Sequence, residues 1–152
     1  MIEFIDSKCP DMKYINIAKK WGVPPTFIYN LRYRDSGSHR METILRVMKG
    51  LSGMLGEDAE DLFVKYILNT EVLCGDYPDE SFSSMRGWLL YYKGEMTFKD
   101  LCEKVGIPQG RLTMWFSHEH QPKGCVVRWL LMAMDGSSEE QCRAFFRVAN
   151  EQ

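Results

Sequence analysis

Two stretches of the chain, IAKKWGVPPTFIYNLR at 17–32 and LCEKVGIPQGRLTMWF at 101–116, keep a single register without a gap. Gly22 falls on Gly106, Val23 on Ile107, Pro24 on Pro108 and Lys20 on Lys104. Ile28 falls on Leu112, and Leu31 on Trp115. These matches sit where physics constrains a chain most. A glycine ends a helix in the left-handed conformation, and apolar residues at helical spacing turn inward. Helical stripes resemble one another by chance, but a shared G-[VI]-P at one distance from two matched apolar positions predicts internal duplication. The register runs on, with Leu45, Val47 and Met48 falling on Trp129, Leu131 and Met132.

The punctuation elsewhere predicts an all-α chain. A short helix covers 2–7. After Pro10, Asp11 is placed to cap a helix over 12–21 with Met12, Ile15, Ala18 and Trp21 as its stripe, ended by Gly22. Pro24 and Pro25 open a helix over about 25–33, with Ile28 and Leu31 inward and a loop at 35–38. A helix over 41–55 turns Ile44, Leu45, Met48 and Leu51 to one side, and one over 58–73 turns Leu62, Phe63, Tyr66, Ile67 and Leu73. The stretch 74–80 has a Gly, a Pro and three acids without apolar periodicity. It divides the chain into 1–74 and 81–152, with 75–80 as linker. In the second part Ser83 or Ser84 caps a helix to about 93 with Met85, Trp88, Leu89 and Tyr92 inward, and Gly94 stops it. Thr97 and Asp100 form a capping box for the next helix, which turns Leu101 and Val105 inward, and 109–116 follows with Leu112 and Trp115 inward. Helices at 124–134 and 138–149 finish the chain, the last opening on S-x-x-Q.

With 152 residues, 45% apolar and four tryptophans, the chain has material for a core. No apolar run approaches the roughly 18 residues that span a bilayer. Residues 1–8 lack the basic-then-apolar order of a secretion signal, so a cytoplasmic protein is expected. Five scattered cysteines without a CxxC pair predict reduced, mostly buried thiols. His118, Glu119 and His120 with Cys125 fit no zinc spacing, so no metal and no cofactor are expected. A Cys/His nucleophilic pair lacks a third orienting group, so no enzyme is expected. The net charge of −2 hides a segregation. Positive residues prevail from Lys8 to Lys49 and acids from Glu57 to Glu80. Such an arrangement permits a positive face on an acidic protein, and it equally describes two solvated surfaces.

Each repeated stretch, carried by TFKDLCEKVGIPQGRLTMWF in the second copy and INIAKKWGVPPTFIYNLR in the first, resembles the lambda-repressor/Cro-like (XRE-type) helix-turn-helix family. The resemblance implies two small helix-turn-helix domains in tandem. It implies sequence-specific binding of double-stranded DNA by a bacterial or phage transcriptional regulator, such as a repressor, with recognition helices at about 25–33 and 109–116. In that family the recognition helix enters the major groove. Base-reading candidates are then Gln109, Arg111 and Thr113 in the second copy, where Gly110 permits close backbone approach, and Thr26 and Asn30 in the first. Phosphate-contact candidates are Lys13, Lys19, Lys20, Arg32, Arg34 and Arg40 in the first copy and Lys99 and Lys123 in the second, with His118 and His120 nearby.

The chain departs from that family at the capping position, which is Pro24 and Pro108 rather than Ser or Thr, and at Pro25, Phe27 and Tyr29. Adjacent aromatics, Tyr91–Tyr92 and Phe145–Phe146, predict that one member of each pair is exposed, as a protein partner requires. The alternative is therefore a protein-binding helix-turn-helix module, such as a phage-encoded inhibitor of a host defence nuclease of the anti-CRISPR type, or an antitoxin. Either a homodimer or a pseudo-dimeric monomer is compatible with the repeat.

Overall fold

The computed structural model describes residues 1–31, 39–69, 82–116, 122–135 and 138–151. Among them the chain is all-α, with ten helices and one isolated β-bridge, Arg40 to Lys123. No described helix is long and apolar enough to cross a membrane. The loop expected at 35–38 and the linker at 75–80 lie outside the described residues, as do Arg32, Arg34, Leu73, His118 and His120.

The first five helices are α1 (Ile2–Lys8), α2 (Tyr14–Trp21), α3 (Pro25–Leu31), α4 (Met41–Leu55) and α5 (Ala59–Leu68). Helix α2 starts at Tyr14 with Lys13 in the cap position, so Asp11 does not cap it. Its inward face is Tyr14, Ile17, Ala18 and Trp21, the i, i+3, i+4, i+7 set. Ile15 lies about 100° round the helix from Tyr14 and is 56% exposed, correcting its place in the expected stripe. Asp58 caps α5, its carboxylate accepting from the N–H groups of Glu60 and Asp61. The helix ends at Leu68, where Asn69 adopts φ 54.

The other five are α6 (Met85–Tyr92), α7 (Phe98–Val105), α8 (Gln109–Trp115), α9 (Gly124–Ala133) and α10 (Ser138–Asn150). Ser84 caps α6 through the Gly87 N–H. Thr97 and Asp100 form the reciprocal capping box of α7. The S-x-x-Q reading fails at α10, because Ser138 is already helical and Gln141 is buried, its side-chain amide donating to the Asp135 carbonyl at 2.5 Å.

The core is continuous across both sets of helices, and its centre is the packing of α5 on α10. Phe63 stacks on Phe145 with ring centroids 6.4 Å apart and tilts against Phe146 at 5.2 Å. Trp88 meets Phe145 edge-on at 4.8 Å, and its indole N–H donates to the Gln141 carbonyl at 2.8 Å. Phe145 and Phe146 are both buried, against expectation, because α10 is covered on several sides by α4, α5, α6 and α9. Of the tyrosine pair, Tyr91 is exposed and Tyr92 half-buried.

Helices α2 and α7 begin 84 residues apart (98 − 14), and so do α3 and α8 (109 − 25). Contacts between the two sets are reciprocal: α5 packs on α9 as α10 packs on α4. The chain around residue 40 runs antiparallel to that around 123. Met41 N–H donates to the Pro122 carbonyl, and Gly124 N–H to the His39 carbonyl, both at 3.1 Å. This is the pattern that a two-fold relation produces. A Cβ at Gly124 would stand 2.5 Å from Ile44 Cδ1, so α9 begins in direct contact with α4. The register falters in the next helices. Leu45 and Met48 are buried, whereas Trp129 is 46% and Met132 74% exposed. The buried side of α9 is Val126, Val127, Leu130 and Leu131, and Trp129 and Met132 stand away from it.

Polar contacts fasten the ends of these helices. Lys8 Nζ donates to both Glu57 oxygens at 3.1 and 3.0 Å, and Lys65 Nζ approaches at 3.4 Å. The hydrogen bond from Lys8 holds the Glu57 carboxyl below its usual range, against a smaller opposing effect of burial. A carboxyl depressed in the folded state contributes stability above its unfolded value of about 4.3 and loses it as pH falls through the folded value. Urea unfolding of Glu57→Gln should therefore show a loss of no more than about 1 kcal/mol at neutral pH, because the group is partly solvated. That difference from the unsubstituted chain should close progressively below about pH 4. A difference that stays constant down to about pH 2 would remove the Lys8–Glu57 contact as its source.

Candidate nucleic-acid interface

The turn between α7 and α8 is built from one glycine and one proline. Gly106 adopts φ 68, ψ 31, and the Ile107 N–H then reaches back to the Cys102 carbonyl at 3.0 Å. A left-handed residue and the backward bond together stop α7 and redirect the chain. Pro108 needs no N–H at the start of a helix, and its carbonyl accepts from Arg111 and Leu112 at 2.9 and 3.2 Å. The turn between α2 and α3 has the same geometry. Gly22 adopts φ 65, ψ 32, Val23 N–H donates to the Ala18 carbonyl at 3.0 Å, and the Pro24 carbonyl accepts from Phe27 at 2.9 Å.

Anchoring follows the apolar spacing. Leu112 is fully buried, Trp115 half-buried, and Phe116 stacks on Trp88 at 6.3 Å. The opposite face of α8 leaves Gln109, Gly110, Arg111, Thr113 and Met114 exposed. Thr113 differs from its neighbours, since its hydroxyl donates to the Gln109 carbonyl at 3.0 Å and keeps only acceptor capacity for a base. In α3, Ile28 and Leu31 are buried while Thr26, Tyr29 and Asn30 are exposed. Phe27 is half-buried, with the Arg46 guanidinium 5.7 Å from its ring centre, so it is a platform for a cation more than a free tip. Tyr29 is held edge-on by Tyr14 at 5.8 Å.

Lys13, Lys19, Lys20, Arg40, Lys99 and Lys123 are all exposed. Lys99 shares a solvated pair with Glu103 at 3.9 Å, which is worth little. Arg40 and Lys123 come together across the antiparallel bridge, bringing one cation from each half to the seam. The acids are used differently. Glu57, Glu60 and Asp61 are engaged by Lys8, Lys65, Arg143 and Arg147 within the fold. The segregated charge is therefore unequal in availability. The acids at the start of α5 are largely neutralised internally, while the cations of α2 and α4 face solvent. Arg46 and Lys49 belong to that exposed set and were not among the site residues read from the sequence. Their spacing from Glu42 on α4, at i+4 and i+7, was the available signal.

Burial pushes the thiols of Cys9, Cys102 and Cys142 up, Cys142 far above its ordinary value. They pack as small apolar groups and are poor nucleophiles. No protein-family model, no curated protein and no solved structure matches this chain.

Proposed function

We propose that this chain is a sequence-specific DNA-binding regulator in which two duplicated helix-turn-helix units act as a pseudo-dimer on one duplex. The observation that carries the reading is the first turn of α8, where Gln109 and Arg111 are both exposed on a helix anchored from beneath by Leu112. Both side chains match base edges bidentately, Gln with adenine and Arg with guanine. Two further features support it: exposed Lys13 and Lys19 at α2 and Arg40 at the start of α4, and the Gly-X-Pro turn that recurs at Gly22 and Gly106.

Selection from a random duplex pool at physiological salt tests the proposal. Enriched sites should carry two dissimilar half-sites about one helical turn, roughly 34 Å, apart. Affinity should fall steeply with salt. Arg111→Ala should cost about 1–3 kcal/mol at one base position and relax preference there. Lys19→Ala should weaken binding to every sequence alike and flatten the salt slope. No enrichment together with a flat slope overturns the DNA reading.

The second reading is a protein-binding helix-turn-helix module. Exposure of Trp129, Met132 and Tyr91 favours it, since large apolar side chains in solvent mark contact surfaces.

A further inference from the structure

Between α2 and α4 lies a cavity of about 930 Å³, within the range of small-ligand sites. Helix α4 supplies one long side of it, with Glu42, Arg46 and Lys49 at positions i, i+4 and i+7. Lys20 of α2 faces them, and the last turn of α10 closes the end with Asn150. Trp21 forms the apolar wall. A Cβ at Gly50 would stand 2.5 Å from the Trp21 ring, so only glycine lets the indole lie against α4. The indole N–H donates to Met54 Sδ at 2.8 Å, which fixes the ring. Among the described residues no ion pair engages Lys20, Arg46 or Lys49. Glu42 leaves the site with two positive charges in excess. Asn150 Oδ1 is buried without a hydrogen-bond partner, and rotation of that amide can offer either a donor or an acceptor to a bound group.

The equivalent groove of the second copy, of about 430 Å³, is lined by Lys104, Val105, Trp129, Met132 and Ala133. Where the first groove has Arg46 and Lys49, the same register places the apolar residues Leu130, buried, and Ala133, half-buried. Three cations thus line the first groove and one, Lys104, the second, whereas a symmetric hold on a DNA backbone asks for equal charge in both.

We infer that the α2–α4 groove binds a small polyanion carrying two or more phosphate or carboxylate groups, gripped by Lys20, Arg46 and Lys49 beside the Trp21 wall. Because Asn150 comes from α10, the bound molecule touches both halves of the fold.

The indole N–H spectrum of the full chain tests this, with the Trp21 signal identified by Trp21→Phe among the four tryptophans. Inorganic pyrophosphate and citrate are the probes. The Trp21 signal should move saturably at or below millimolar probe, while those of Trp88, Trp115 and Trp129 stay in place. Arg46→Gln combined with Lys49→Gln should raise the Kd by about tenfold or more, and Lys104→Gln should leave it unchanged. Both altered side chains are exposed, and a circular dichroism spectrum checks that the variant folds. Response to pyrophosphate alone assigns a phosphorylated ligand, and response to citrate alone a polycarboxylate. The inference is overturned if neither probe moves Trp21, or if the shift survives in the double variant. It is also overturned if duplex DNA displaces pyrophosphate with the same dependence on Arg46 and Lys49, which makes the groove part of a backbone contact.

Discussion

Replacing Phe145 with Ala is expected to destabilise the protein by about 3–5 kcal/mol, enough to lower the Tm by roughly 10 °C. The ring is fully buried between Phe63 of α5 and Trp88 of α6. Removing it empties a space bounded by aromatic side chains from both halves, and rigid rings collapse into a cavity poorly. The loss is therefore shared: thermal unfolding followed at the tryptophans and by far-ultraviolet circular dichroism should shift together. If the helices of one half melt well before those of the other in the variant, Phe145 does not join the two into one cooperative unit. Phe145→Leu, which keeps much of the volume, should recover a large part of the loss.

Arg143→Ala is expected to cost about 3 kcal/mol, with a reach beyond its own contacts. The side chain is 11% exposed and touches three carboxylates, Glu60 at 3.0 Å, Asp61 at 2.7 Å and Glu139 at 3.1 Å. Those contacts outweigh burial and push its already high pKa further up. Without the guanidinium, Glu60 retains Arg147 at 2.9 Å, but Glu139, itself largely buried, loses its ion pair with Arg143. A double-mutant cycle with Glu60→Ala checks the account. The two changes together should cost clearly less than the sum of the singles, because removing both partners leaves fewer orphaned charges. Additive costs would show that Arg143 acts by packing alone.

The sequence carried the local structure well where backbone geometry is chemically enforced. Gly22, Gly106, Ser84 and the Thr97–Asp100 box each mark a helix end, because only a few residue types satisfy the bonds left open there. Faces were legible for isolated stripes such as Ile44–Leu51 and less so where neighbours decide. Ile15 reads as a core residue by spacing from Met12, yet the helix begins at Tyr14 and takes its phase from Ile17 and Ala18. Phe146 reads as exposed only if α10 has one buried side. Trp129 and Met132 read as buried only if α9 copies α4. None of these depends on local propensity; each depends on what packs on the helix from elsewhere. The candidate interface was read on α3 and α8 because a turn signature locates it. Arg46 and Lys49 were passed over because they lie on a long helix with no motif, and their significance comes from Trp21 and Asn150, distant in sequence, meeting them across a groove.

The ion pairs that join α5 to α10 have no mirror image in the 84-residue register. Arg143 corresponds to Ala59, and Glu60 to Ala144. Two first halves meeting face to face would set Glu60 and Asp61 of one against Ala59 and Phe63 of the other, with no arginine to receive them. The ion pairs of Arg143 and Arg147 with Glu60 and Asp61 are therefore made between two unlike helices. On the proposed pseudo-dimeric reading both halves come from one chain, and occupancy of a DNA target should rise in simple proportion to protein concentration rather than with its square. The two outer surfaces, freed from having to be identical, can change one residue at a time.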